Sequence, residues 1–298
     1  MTKAKRNFYF IGFGNMAQAI YRRMDKKAYG SIGIIEVDEK CKELDTRTVK
    51  REDPREDFYL TAETIICNDV WWEYNCGDVT SSDIFLLAVK PTDIKMACES
   101  CSNNFEWNDP QNQSIIISIA AGVTIDNIAK YLGGNYNLGK IVRAMPNLCA
   151  KKGMAMTGLH GGLDYMKFGY TSEGKLISEI FNSIGQVLWV SKESDLDSVT
   201  AISGSGPAYI YYIMKAMIDA AEELGLEKSI AQKLVAQTII GAGETGKDID
   251  NLESEIIKVS SKGGTTEKAI DIFKQKKLDT IIKQAVKAAH KRSKELSN

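Results

Sequence analysis

Short apolar runs recur through the first two-thirds of the chain, at residues 8–11, 32–37, 84–89, 115–119, 140–144 and 186–190. Helix-like stretches separate them, among them 15–27, 125–132 and 171–184. Runs this rich in β-branched and aliphatic residues predict strands covered on both faces, and their alternation with helices predicts a parallel α/β sheet. After Ser191 the period changes. Residues 195–223 and 227–247 repeat with helical spacing, broken at Ser203-Gly204-Ser205-Gly206-Pro207 and at Leu224-Gly225-Leu226. A polar, glycine-bearing loop over 260–266 then leads into an amphipathic stretch over 267–295. The expected architecture is an α/β domain over 1–190 followed by an all-α domain over 191–298. Residues 41–80 are the least regular: a charged run with Pro54 reads as a solvated loop, and Trp71-Trp72 as side chains buried against a neighbour.

The first strand run ends in Gly12-Phe13-Gly14-Asn15-Met16-Ala17 and a helix follows. Two glycines at this spacing allow a tight turn and a close approach of pyrophosphate to the backbone, and the helix N-terminus offers N–H groups to the anion. The third small position is Ala17, which packs helix on strand. A plain strand-to-helix connection is the alternative reading. An acidic residue about 20 positions on bonds the ribose in NAD sites, and Glu36 and Asp38 stand there. Other strand runs end in Ala88-Val89-Lys90-Pro91, in Ala120-Ala121-Gly122-Val123 and in Arg143-Ala144-Met145-Pro146-Asn147. Carboxyl ends of parallel strands form the ligand crevice of such sheets, so these ends together support a cofactor site better than any one motif.

Composition narrows the partners. The chain has 298 residues, a formal net charge of −1 and well-mixed charges, which excludes a nucleic-acid-binding stripe. No apolar run is long enough for a membrane span, and the basic start is followed by no signal-peptide core. The six cysteines are scattered, which fits a reducing, cytoplasmic compartment. Cys98 and Cys101 form a CxxC pair, but His160 and His290 each stand alone, so no metal site is expected and the pair reads as small residues on one helix side.

With these motifs in view, the chain resembles the pyrroline-5-carboxylate reductases. The resemblance runs in order over nearly the whole length: GFGNMAQAI at 12–20, AVKP at 88–91, SIAAGV at 118–123, VRAMPN at 142–147, SGSGPAY at 203–209, LGL at 224–226 and SKGGTT at 261–266. It implies an N-terminal Rossmann-type dinucleotide-binding domain and a C-terminal all-α domain whose helices intertwine into a homodimer, with larger homo-oligomers built from dimers. It implies reduction of the C=N bond of 1-pyrroline-5-carboxylate to L-proline by NADPH or NADH, the last step of proline formation. The cofactor contacts implied are Gly12, Phe13, Gly14, Asn15, Met16, Asp38, Asn75, Ala88, Val89, Lys90 and Pro91. Substrate contacts are implied at Met145, Asn147, Ser261, Gly263, Gly264 and Thr265, with the Thr266 hydroxyl beside the ring nitrogen. The residues themselves keep alternatives open: Asn75 also reads as a turn residue beside Gly77, SGSGPAY as close helix packing with Pro207 in a first turn, and GGTT as a threonine helix cap.

Departures mark this chain. Lys262 stands where the family has proline before the glycine pair, and Lys215 where it has glutamate. Cofactor preference is open, since Glu36 or Asp38 would repel a 2′-phosphate whereas Lys40 or Arg47 would attract one. The competing functions are a related imine or β-hydroxyacid reductase and a non-catalytic family member.

Overall fold

The computed structural model describes residues 6–30, 32–36, 63–66, 83–102, 114–134, 136–162 and 171–297. The chain divides into two compact units, the first comprising residues up to Gly204 together with those from His290 onward, the second Ser205–Ala289.

The first unit is built on an eight-stranded sheet: β1 (Phe8–Ile11), β2 (Ile32–Glu36), β3 (Glu63–Ile66), β4 (Ile84–Leu87), β5 (Ile115–Ser118), β6 (Ile141–Met145), β7 (Ala155–Gly161) and β8 (Gly185–Trp189), in the order β3-β2-β1-β4-β5-β6-β7-β8. Six strands run parallel: β1, β2, β4, β5 and β6 stand where the alternating pattern put them, and β3 lies within the stretch over 41–80 that gave no strand signal. β7 corrects the all-parallel expectation: it pairs antiparallel to β6, and β8 then pairs parallel to β7. The reason is length. Residues 146–154 are too few for a parallel crossover, which takes about a dozen or more residues.

Alternate residues of each strand face opposite sides. Phe8, Phe10, Ile84, Leu86, Ile115 and Ile117 enter one core, and Tyr9, Ile11, Phe85, Leu87 and Ile116 the other. Helix α1 (Asn15–Arg23) lays Ala17, Ile20 and Tyr21, spaced at one helical face, on the first core. Helices α2 (Ile94–Ser102) and α3 (Ile125–Tyr131) close the second through Ile94, Cys98, Ile125 and Ile128. Helix α4 (Ser172–Asn182) returns to the first core with Ile177, Ile180 and Phe181. A short α5 (Asp195–Val199) and a π-helical turn (Thr200–Gly204) end this stretch.

The second unit holds α6 (Gly206–Glu223), α7 (Lys228–Gly246), α8 (Leu252–Val259), α9 (Thr265–Gln275) and the start of α10 (Leu278–Ser297), whose last turns belong to the first unit. The amphipathic stretch expected over 267–295 is thus two helices, because Lys277 turns to φ +55 between them. In the second unit only Ala231 and Val235 are buried among apolar side chains, whereas eighteen large ones are exposed.

Candidate active site

The carboxyl ends of the central strands lie side by side. Ile11 is level with Leu87, Leu87 with Ser118, and Ser118 with Arg143. The segments after β1, β4, β5 and β6 therefore leave the sheet along one edge, bringing Gly12, Ala88 and Ala120 together.

Gly12 is locked to the segment after β4. Its φ is +81, and a Cβ there would lie 2.7 Å from Val89 Cγ1 and 3.0 Å from the Val89 nitrogen. The Ala88 N–H donates to the Ile11 carbonyl at 2.7 Å. So the first glycine is required twice, by conformation and by contact. Gly14 differs: its φ is −69, and a Cβ would meet no atom within 4 Å. The space above it is open. The Gln18 side chain braces the turn by donating to the Phe13 carbonyl at 2.8 Å, and the Phe13 ring packs edge-on against Phe10 and Tyr21. Gly14 is the N-cap of α1. No side chain caps that terminus, no acid stands in the first turn, and Arg22 and Arg23 stand in the last. First-turn N–H groups at the positive end of a helix dipole, with room in front of them, fit a dinucleotide pyrophosphate. Ala17 is fully buried in the core, as its packing role predicts. Lys90 and Pro91 are exposed at the exit of β4, with Lys90 capping the short turn that precedes α2. Asp38, Asn75, Lys40, Arg47, Trp71 and Trp72 lie outside the described residues, and Glu36 ends β2.

Met145 and Asn147 sit at the end of β6. Asn147 is buried and doubly engaged: its Nδ2 donates to the Ser203 carbonyl at 2.9 Å and its Oδ1 accepts from the Cys149 N–H at 3.2 Å. The Met145 methyl lies 2.9 Å from where a Gly204 Cβ would stand. VRAMPN thus grips the start of SGSGPAY, and the small residue at 204 is needed for that approach. This link was not visible in either motif alone.

In the second unit, residues 261–264 form a tight turn. The Gly264 N–H donates to the Ser261 carbonyl at 2.9 Å, and Gly263, at φ +74, takes the third turn position, as a type II turn requires. Gly264 is the N-cap of α9, with no side-chain cap. The expectation of a threonine cap is therefore corrected: Thr265 and Thr266 are the first two helical residues, and the terminus is steadied by Glu267, which accepts from the Gly263 N–H at 2.7 Å. The half-buried Thr266 is left with an uncommitted hydroxyl at the mouth of an anion-attracting terminus. Ser260, which opens the polar loop and was given no role, has a buried Oγ without a hydrogen-bond partner. Lys262 is exposed.

Burial and pairing describe two further features. Cys98 and Cys101 face the second core, and burial pushes the Cys98 thiol up to about 12 and raises that of Cys101 as well. They pack as small apolar residues, not as thiolate ligands. Lys215 pairs with Asp219 one turn on, and that hydrogen bond raises its pKa, so the departure from glutamate is balanced locally.

Comparison with known proteins places this geometry. Residues 193–296 match a family model described as pyrroline-5-carboxylate reductase dimerisation, and residues 7–122 match one described as coenzyme F420-dependent NADP oxidoreductase. A pyrroline-5-carboxylate reductase of Pasteurella multocida is 32% identical over 295 residues, covering 98% of each chain. The structure of a pyrroline-5-carboxylate reductase from Coxiella burnetii superposes with a TM-score of 0.76 at 32% identity over 99% of both chains. A Plasmodium falciparum pyrroline carboxylate reductase with NADP bound shares the fold, at a TM-score of 0.74 and 24% identity over the whole of both chains.

Proposed function

The chain belongs to the pyrroline-5-carboxylate reductase family, and on that premise we propose how its residues divide the work. It is an NAD(P)H-dependent oxidoreductase that reduces the C=N bond of 1-pyrroline-5-carboxylate to L-proline. The cofactor, when bound, supplies the hydride that the imine carbon takes; the ring nitrogen takes a proton. The observation that carries the residue assignment is the pairing, on one chain, of a glycine turn locked against Ala88–Val89 with an uncapped glycine loop at 261–266.

Gly12 fixes the turn, Gly14 leaves the space, and the first-turn amides at Asn15 and Met16 hold the pyrophosphate. Phe13 anchors the turn to the core. Ala88, Val89, Lys90 and Pro91 border the cofactor, with Asp38 and Asn75 assigned to it from the family resemblance. Ser261 and Thr265 present their hydroxyls to the substrate carboxylate, and Gly263 and Gly264, whose N–H groups are engaged by Glu267 and Ser261, shape the loop that borders it. Thr266 holds the proton at the ring nitrogen, a task its uncommitted hydroxyl suits. Met145 and Asn147 support the substrate side by fixing residues 203–204. We assign residues 1–190 to cofactor binding and 191–298 to dimerisation and substrate binding. The dimerisation match, which begins at residue 193, supports that boundary, while the compact first unit extends to Gly204 and takes in residues from His290 onward.

The protein is a homo-oligomer, and we assign its dimer contact to the helices of the second unit. No helix among the described residues is long and apolar enough to cross a membrane. We assign it to the cytoplasm, supported by the free thiols of Cys98 and Cys149. The test is direct: incubate the purified chain with 1-pyrroline-5-carboxylate and either NADPH or NADH, and follow nicotinamide absorbance and proline. Oxidation coupled to proline is expected. No oxidation with either cofactor rejects the assignment.

A further inference from the structure

The segment between β5 and α3, Ala120-Ala121-Gly122-Val123-Thr124, carries little side chain of its own, yet it borders the cofactor crevice. The Ile119 N–H donates to the Leu87 carbonyl at 3.1 Å, directly beside Ala88. Ser118 and Thr124 hold it locally, and further supports come from far along the chain. At its end, the Ile125 N–H, the first helical amide of α3, donates to Glu193 Oε1 at 2.8 Å. The same oxygen accepts from Arg143 Nη1 at 2.9 Å. Arg143 is buried, level with Ser118 on β5 and with His160 on β7, and the Ser118 Oγ accepts from the Ala120 N–H at 3.3 Å. At its middle, Gly122 has φ +79, and a Cβ there would lie 2.7 Å from the Leu296 carbonyl oxygen and 2.9 Å from its carbon. The last turn of α10 is thus seated backbone to backbone on the segment. That turn is pinned by Ser293, itself buried, whose hydroxyl donates to Asp197 at 2.6 Å.

We infer that Glu193 is a positioning residue for the cofactor. With Arg143 it sets the end of the β5–α3 segment, while Ser293 and Leu296 set its middle. Within the segment Ala120 and Val123 pack into the second core and the Thr124 Oγ1 caps α3 by accepting from the Asn127 N–H at 3.2 Å, but Ala121 and Gly122 reach no partner with a side chain, so the placing of the middle and of the Ile125 amide depends on outside groups. One carboxylate oxygen shared between a buried guanidinium and a helix amide fixes both in one geometry. This inference rests on the cofactor reading of the preceding subsection. It extends that reading to residues 193–296, which the glycine turn does not reach.

The test uses the full chain and reads the dissociation constant for NADPH by nicotinamide fluorescence, which needs no turnover. Glu193→Ala is expected to weaken NADPH binding about ten-fold, as a misplaced positioning element does. Glu193→Gln, which keeps an acceptor for Ile125, recovers part of that loss. Ser293→Ala, a milder change at the other support, weakens binding by about three-fold in the same direction. A purely structural role lowers thermal stability and the folded fraction but leaves the dissociation constant of the folded protein at the wild-type value; that result for folded Glu193→Gln and Ser293→Ala overturns the inference. If Glu193→Ala does not fold, the other two variants decide. Wild-type binding of NADPH without reduction of the imine leaves this test intact and faults the proposed reaction instead.

Discussion

At the scale of single residues, the two glycines of the turn separate fold from function. Gly12 needs a positive φ and has Val89 within 2.7 Å of any added methyl. Gly12→Ala is therefore expected to destabilise the protein by about 2 kcal/mol or more, through strain and overpacking together. Gly14→Ala, at an ordinary φ with open space around it, is expected to leave stability within about 0.5 kcal/mol of wild type. Its methyl projects where the pyrophosphate approaches, so the cofactor KM is expected to rise about ten-fold or more. Thermal melts and cofactor titrations on the pair check this; equal effects of the two substitutions on stability contradict it. Thr266 offers a similar separation. Because Gly264 is the cap, removing the Thr266 hydroxyl costs no cap hydrogen bond. Thr266→Ala is expected to keep its melting point while kcat falls by about ten-fold to a hundred-fold. An unchanged kcat removes Thr266 from the chemistry. The demand for glycine at 12 was readable in the sequence, since a tight turn before a helix selects that residue. The partners of Asn147 and Glu193 were not. Each bonds a backbone group tens of residues away, and no local pattern encodes such a pair.

At the scale of elements, legibility followed periodicity. β1 and β4 are continuous apolar runs buried on both faces, β5 and β6 are apolar except for Ser118 and Arg143, and the pattern identified all four. β7 reads Ala-Met-Thr-Gly-Leu-His-Gly, with two glycines and no clean alternation, and it was missed. Its burial comes from its neighbours β6 and β8, which hold it from both sides. The helical stretch over 267–295 failed differently. It contains no glycine or proline to mark a break, yet the chain turns at Lys277. The Lys276 N–H donates to the Ile272 carbonyl and the Lys277 N–H to the Lys274 carbonyl, closing α9, and Lys277 takes the left-handed conformation that usually selects glycine after a helix. A side chain there costs about 1 kcal/mol. Lys277→Gly is therefore expected to raise stability by roughly 0.5–1 kcal/mol, against the usual direction for glycine substitutions. Chemical denaturation measures it; a loss of stability would mean that the lysine side chain contributes more than the strain it imposes.

At the scale of the whole molecule, the second unit does not bury enough apolar surface to stand alone. Leu224, Tyr212, Val259 and Ile257 are 86%, 78%, 69% and 67% exposed, and α6, α8 and α9 bury no side chain at all. Contiguous apolar faces of this extent mark an interface. A single unit with two small buried residues has little hydrophobic free energy to set against the entropy of ordering five helical segments. The amphipathic pattern showed that these helices face something; the number of apolar stripes per helix did not say whether that was the same chain or a second copy. The exposure of stripes on several helices at once favours a second copy, and the dimerisation match over 193–296 agrees. Folding and association are then one equilibrium, so the melting temperature is expected to rise with protein concentration. Ile257→Asp provides the decisive case. On a monomer surface it changes stability by no more than about 0.5 kcal/mol. In an apolar interface it places a carboxylate against hydrocarbon in both copies, and the expected result in sedimentation is loss of the dimer together with loss of helical signal. A wild-type chain that sediments as a folded monomer at micromolar concentration, with a melting point indifferent to dilution, would show that the exposed stripes are covered by some other means.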